Sequence, residues 1–345
     1  MRFDIYPHLR PSYDPEAAVV PRPPPPPPPP PRPLRPPPPP QRTYTNRASD
    51  LSFQSRRSPV LATRGMVACS QPLAAEAGLS ILKSGGNAID AAIAVAAALA
   101  VTEPCSTGLG GDCFILYYES ETKRVHSMNG SGRSPKALTP EALLSDCFDQ
   151  PPADLATASI PKTHAHTVTV PGAAAGWMDA LERWGSMDAQ VVLSRAIELA
   201  DAGWPVTPIT AFHWANAEPL LNAGGARSLL VDDAHDAPAE GSPAGGSGGG
   251  GDASAAAAPR APRAGELFTN RPLAETLRSL ALGGKDAFYS GRIADAIVAS
   301  VVERGGLMSA DDLKHHAEAG SEFGEAIHTH YHGIDVYEHP PNGQV

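Results

Sequence analysis

Arg133 stands where chemistry can be done. It follows Asn129-Gly130-Ser131-Gly132 and precedes Ser134-Pro135, so a loop with two glycines delivers it and a proline stiffens it from behind. A guanidinium so placed can clamp a carboxylate through two parallel charge-assisted hydrogen bonds, and Ser131 can bond the same ligand. A surface arginine in a salt bridge has the same residue pattern, and spacing alone leaves the two readings open. His328, His330 and His332 alternate as on one face of a strand, a geometry that could hold zinc. Exposed edge-strand histidines are the commoner outcome, and no fourth ligand matches them, so no metal is expected. His315-His316 reads as a solvated pair at a polar helix end. His164 and His166 bracket a strand start and read as structural. Cys69, Cys105, Cys113 and Cys147 make no C-x-x-C pair and read as free thiols. Cys105 and Cys113 flank a glycine turn, but no basic run is near to activate either. That turn, Gly108-Leu109-Gly110-Gly111-Asp112, is not a phosphate loop, because Cys113 occupies the sixth position and no G-K-[ST] follows. No G-x-S-x-G elbow occurs, since Gly130-Ser131-Gly132 has the wrong spacing. Residue pattern therefore singles out Arg133 as the candidate binding residue and shows no serine-nucleophile elbow.

The elements that must position Arg133 form a hairpin. Cys113 to Tyr118 is a run of β-formers fit for a buried strand, Glu119 to Lys123 is a polar turn, and Arg124 to Met128 alternates as a half-buried partner. Upstream, Met66 to Ser70 reads as a short strand. Pro72 opens a helix that Gly85-Gly86 ends, and Asn87 caps a second with Asp90 in its first turn. This second helix, Ala88 to Val101, is small and apolar all round, as a central core helix should be. Downstream come a short helix from Pro140, a strand from His166 to Val170, helices Ala173 to Trp184 and Asp188 to Ala202, and further helical pattern from Arg271-Pro272. GGKDAFYSG then reads as a connector, with an amphipathic helix from Arg292 to Arg304 and a Ser309/Asp312 capping box after it. Ala326 to Tyr331 and Ile334 to Tyr337 read as strands.

Composition divides the 345 residues. The apolar fraction of 42% suits a globular core, but 38 prolines and 32 glycines exceed what one compact domain holds. Residues 1–62 read as a disordered proline-rich arm and 63–345 as the folded region, interrupted at about 224–265 by a flexible Gly/Ala/Ser/Pro insertion. Sixteen of the 20 residues between Pro21 and Pro40 are proline. They would run as polyproline II for roughly 60 Å, and residues 21–40 could dock proline-motif-binding domains; low-complexity drift is the plainer reading. Residues 41–64 resemble a transit peptide in composition, though they stand behind the proline tract. Residues 1–64 carry a net charge of +6 and the remainder −16, and an acidic folded part argues against nucleic acid as partner. The longest apolar run, Ala91 to Val101, is too short to span a bilayer, and no secretory signal is visible. An intracellular location is the expectation.

At Glu103 to Pro135 the chain resembles the gamma-glutamyltransferase family (gamma-glutamyltranspeptidase, glutathione hydrolase), whose hairpin ends in NGSGR-[AS]-P. Three other blocks match in the same order: RGMVACSQPLAAEAGLSILKSGGNAIDAAIAVAAALAVTEP, VPGAAAGWMDALERWGSM…RAIELADAGWPVTP, and FTNRPLAETLRSLALGGKDAFYSGRIADAIV…GGLMSADDL. The resemblance implies an α+β fold, an αββα sandwich of the N-terminal-nucleophile hydrolase class, with Arg133 on the α-carboxylate of the gamma-glutamyl substrate. It also implies a precursor that cuts itself before a threonine, whose hydroxyl then forms an acyl-enzyme with its own amine as base. Glutathione is the usual donor, water or an amino acid the acceptor, and no metal or organic cofactor is needed. The final Pro340-Pro341-Asn342-Gly343-Gln344-Val345 looks like a segment that precedes that threonine by several dozen residues. The expectation is therefore a large-subunit portion that lacks its small-subunit partner and strands, and is inactive alone. Two alternatives stand beside it: a noncatalytic interaction protein using the proline arm, and a related N-terminal-nucleophile amidase such as a cephalosporin-type acylase.

Overall fold

The computed structural model describes residues 58–148, 152, 159–231 and 259–341. The proline tract at 21–40, residues 41–57 and the central part of the insertion, 232–258, lie outside the described residues.

The centre is a helical layer. Helices α1 (Pro72–Lys83) and α2 (Ala88–Thr102) pack against each other, and α2 also packs on α4 (Ala173–Trp184) and α5 (Ala189–Ala202). The small all-round apolar sequence of α2 explains this. Ala91, Ala94, Ala97, Ala98 and Ala100 are all at most 4% exposed, so three helices approach its backbone. Asn87 and Asp90 close a capping box at its start. Asp90 is fully buried, and its carboxylate also accepts from the backbone N–H of Ser186 (3.0 Å) and the Ser186 hydroxyl (2.6 Å). One side chain thus caps α2 and ties down the turn between α4 and α5.

On one face of this layer lies a sheet of order β1-β2-β5: β1 (Cys113–Glu119) and β2 (Arg124–Gly130) form the hairpin, and β5 (Glu322–Glu325) joins β2 antiparallel. The sequence pattern predicts a buried β1, and the structure corrects this. Cys113, Ile115 and Tyr117 are half-buried toward α4, while Phe114, Leu116 and Tyr118 are exposed. One helical face covers the sheet; at its far side, among the described residues, His339 packs edge-on against Phe114 at 5.2 Å. On the covered side, Trp184 of α4 stands 5.4 Å from the Tyr117 ring and 5.2 Å from Phe323, fixing the end of α4 to β1 and β5.

Helix α3 (Pro140–Cys147) follows the hairpin, and α6 (Pro208–Ala223), unanticipated, begins at the Thr207 cap. Two-residue strands β3 (Trp204–Pro205) and β4 (Leu267–Phe268) pair beside it. Helix α7 (Arg271–Tyr289) runs through the expected connector, kinked at Gly284, where φ is +58°. It is followed by α8 (Gly291–Val302) and α9 (Ala310–Ala319), whose Ser309/Asp312 capping box forms as the sequence indicates. Strands β6 (Ile327–Tyr331) and β7 (Ile334–Glu338) make a separate hairpin. Two expected strands are absent. Residues 66–70 form no strand, and 165–167 form a short 3-10 turn in place of the start of a strand at His166. The β-branched run Val168 to Val170 stays extended, but its described backbone N–H bonds run from Val168 back to the Ala165 carbonyl, closing the 3-10 turn, and from Val170 to the Arg133 carbonyl, so there is no ladder to join. No described helix is long and apolar enough to cross a membrane.

Asp90→Ala should lower stability to urea by about 2 kcal/mol, because it removes a cap and the hydrogen bonds that tie Ser186 to the start of α2; a loss below about 0.5 kcal/mol would show that Asp90 is not the tie described here.

Candidate functional site

The Arg133 loop is fixed by backbone contacts that side chains would prevent. A Cβ on Gly132 would lie 1.9 Å from the Val170 carbonyl oxygen, and one on Gly172 would lie 2.2 Å from that of Gly130. The loop and the corner leading into α4 are therefore in direct backbone contact. Hydrogen bonds complete the junction. The Gly132 N–H donates to Asp112 (2.7 Å), the Val170 N–H to the Arg133 carbonyl (2.9 Å), and the Gly172 and Ala173 N–H groups to the Gly111 carbonyl (3.0 and 2.8 Å). The glycine turn thus caps α4 with its own carbonyl; its role is packing. Beyond the arginine, the Lys136 N–H donates to Asp312 (2.8 Å), strapping the loop to the start of α9.

The Arg133 side chain is one-third exposed and borders a cleft of about 680 Å³ that Ser134, Lys136, Val170, Asp311 and His315 also line. Its inner edge is occupied. Nη1 donates to His316 Nδ1 at 2.9 Å, and Nη1 and Nη2 both reach the Gly320 carbonyl at 3.2 Å. Outside, the exposed Glu322 carboxylate stands 3.7 Å from Nη2, too far for a hydrogen bond. A guanidinium carries five N–H donors, and among the described residues none bonds its Nε. The Nε/Nη2 edge is free for a two-pronged carboxylate.

The expectation of a solvated His315-His316 pair fails for His316, which is 1% exposed and packs 5.5 Å from the Tyr289 ring. Burial pushes its pKa down to about 4; the Arg133 charge adds to this, and Asp179 opposes it. At neutral pH it is a neutral imidazole. Arginine can only donate, so Nδ1 is the acceptor and the proton lies on Nε2, which has no hydrogen-bond partner among the described residues. Sequence pattern does not reveal this, because His-His in a charged segment looks solvated; only the fold of α9 against α7 turns one of the pair inward.

The other candidates disperse. His330 bonds Asp335 (2.8 Å), His328 stacks on Tyr337, and His332 turns away at a positive φ of 48°. Among the described residues no three metal-ligating side chains converge. All four cysteines are free thiols. Burial and the neighbouring Asp112 push the Cys113 thiol up to about 12, so it is no nucleophile. His166 is buried and bonds Asp146 (2.9 Å), and His164 lies 3.7 Å from Cys147. Among the described residues no hydrogen bond joins the Ser131 hydroxyl to Arg133; the Ser131 N–H donates to the Asn129 side chain, 3.0 Å away, which shapes the loop.

Below its unfolded pKa of about 6.5, His316 takes up a proton in the unfolded chain before the folded one does. Its contribution is therefore fully present above pH 6.5 and lost as pH falls toward 4. The stability of wild type relative to His316→Asn should decline across that window in urea titrations; a constant difference would contradict a neutral buried imidazole.

Comparison with known proteins places the chain in a family. The family model described as "Gamma-glutamyltranspeptidase" matches residues 74–345. The glutathione hydrolase-like YwrD proenzyme of Bacillus subtilis strain 168 is 34% identical over 287 residues, covering 83% of this chain and 47% of that protein. The glutathione hydrolase proenzyme of the same strain is 30% identical over 277 residues, covering 80% and 42%. Among solved structures, cephalosporin acylase from Bacillus halodurans aligns with a TM-score of 0.63 at 35% identity, covering 85% of this chain and 50% of that one. Helicobacter pylori gamma-glutamyltranspeptidase aligns at 0.67 and 24% identity, covering 82% and 72%, a likeness of fold. The helices and sheet accordingly have the α+β fold of the N-terminal-nucleophile hydrolases. The chain spans about half the length of the curated relatives it matches. With a family model covering most of its folded residues, this chain belongs to the gamma-glutamyltranspeptidase family.

Proposed function

We propose that residues 63–345 supply the donor-carboxylate site of a gamma-glutamyl transferase/hydrolase, with Arg133 as the clamp. Arg133, bordering the cleft from a backbone-locked loop with its Nε unbonded among the described residues, is the observation that carries this reading. A gamma-glutamyl amide such as glutathione offers an α-carboxylate three carbons from its reactive carbonyl. Two parallel N–H···O bonds from Arg133 fix that carboxylate and with it the direction of the chain leading to the carbonyl. Glu322 yields its place to the ligand. The acyl-transfer steps belong to an N-terminal threonine in the half of the relatives that this chain does not span. The small-subunit half also covers Phe114, Leu116 and Tyr118 on the open sheet face. Residues 1–345 alone then bind donor but do not turn it over.

A second reading is favoured by the acylase relatives, the Bacillus halodurans cephalosporin acylase and the acylase ACY 1 proenzyme of Pseudomonas at 30% identity. Arg133 reads a carboxylate and not an amine. A glutaryl amide, which is a gamma-glutamyl amide without the α-amine, would satisfy it equally.

Arg133→Ala should weaken binding of glutathione by roughly 30-fold or more in calorimetry, the scale of a lost charged hydrogen-bond pair, and Arg133→Lys should fall between, keeping charge without the fork. Equal affinity in wild type and Arg133→Ala would overturn the assignment. Gamma-glutamyl-p-nitroanilide should not be hydrolysed by residues 1–345 alone; turnover by the pure chain would contradict the division of labour. Tighter binding of glutaryl than of gamma-glutamyl amides would favour the acylase reading.

A further inference from the structure

Arg133 is held from behind by a buried polar assembly that the carboxylate itself never touches. His316 Nδ1 accepts from Nη1 at 2.9 Å, and the Gly320 carbonyl accepts from both Nη atoms at 3.2 Å. That carbonyl is itself anchored. Gly320 ends α9 at a φ of +66°, with its N–H on the His316 carbonyl at 2.9 Å. The next N–H, of Ser321, donates to Asp179 at 2.7 Å, and Lys285 donates to the same carboxylate at 2.6 Å. Asp179 is 7% exposed on its side chain, and His316 is 1% exposed as a residue. Helix α9 thus contributes buried His316 directly to the guanidinium, while buried Asp179 of α4 and half-buried Lys285 of α7 hold the chain just after the Gly320 carbonyl, and none of these groups lines the cleft.

An unsupported arginine samples many rotamers, and ordering it on ligand binding costs affinity. A guanidinium already bonded along its Nη1 edge presents its remaining edge in one orientation. We infer that His316 is a positioning residue for the carboxylate clamp: it accepts the Nη1–H and holds Arg133 with its Nε/Nη2 edge turned to the cleft, while Asp179 and Lys285 fix the Gly320 carbonyl that shares the load. This inference rests on the reading of Arg133 as the clamp. It requires an acceptor at this position, not an imidazole as such. Asparagine can place its side-chain oxygen near the position of Nδ1, whereas leucine fills similar space with no acceptor.

The test uses the full chain and two readouts. The first needs no ligand: exchange of the Arg133 guanidinium protons with water, followed by 15N NMR. It should be slow in wild type and His316→Asn and fast in His316→Leu. The second is affinity for glutathione. His316→Leu should bind about tenfold more weakly, in keeping with loss of one hydrogen bond to a charged group, and His316→Asn within about threefold of wild type. In an Arg133→Ala background, His316→Leu should add nothing further. Slow exchange in His316→Leu overturns the inference, as does a His316→Leu defect that persists without Arg133 or that asparagine fails to rescue. If instead exchange responds as predicted but Arg133→Ala leaves glutathione binding intact, the positioning stands and the clamp reading falls.

Discussion

The structure depends on backbone meeting backbone where β2, the glycine turn and the corner before α4 converge. Gly130, Gly132 and Gly172 leave no room there for a Cβ, and the Gly111 carbonyl and Asp112 carboxylate take up the N–H groups that the junction would otherwise bury unpaired. Three short segments are thereby set relative to one another chiefly by backbone, with the Asp112 carboxylate as the side-chain link. The direction in which the chain leaves β2 is consequently fixed, and so is the point at which Arg133 enters the cleft. Hydrophobic burial around α2 supplies the stability of the domain, but it does not specify this point to within an ångström; the glycine junction does.

A second layer of constraint acts on the side chain. The arginine is bordered by a neutral imidazole and a carbonyl on its inner edge and by an exposed carboxylate at 3.7 Å on its outer edge. The inner contacts are buried and geometrically close, so they persist; the outer one is solvent-screened and weak. This asymmetry distinguishes the site from a closed ion pair and is what the proposed carboxylate clamp requires. A protonated His316 would reverse the arrangement, setting a second cation against the first. Burial keeps its pKa near 4 and avoids that.

Much of this was legible in the sequence because it is local. The Asn87/Asp90 and Ser309/Asp312 boxes, the proline-led start of α1, the hairpin and the loop carrying Arg133 all follow from spacings of a few residues. What escaped depends on tertiary placement. Strand β5 is four residues long and exposed, with no apolar alternation to betray it. The run from Val168 to Val170 has strand composition but lies where no neighbour offers a ladder. One-sided covering of β1 cannot be read from a continuous apolar run, which looks the same buried on one face or two. His316 was misjudged for the same reason: its sequence neighbours are polar and its neighbours in space, Arg133, Asp179 and Tyr289, are not adjacent in the chain. The family likeness located the arginine, while what stands behind it emerged only from the packing of three helices.

The most direct test is a crystal structure of the chain with bound glutathione. The account predicts the α-carboxylate side-on against Arg133, its oxygens within hydrogen-bond distance of Nε and Nη2, with Glu322 displaced and the His316 contact kept. A ligand bound elsewhere, or Arg133 still facing Glu322 with the α-carboxylate held by other groups, would contradict it.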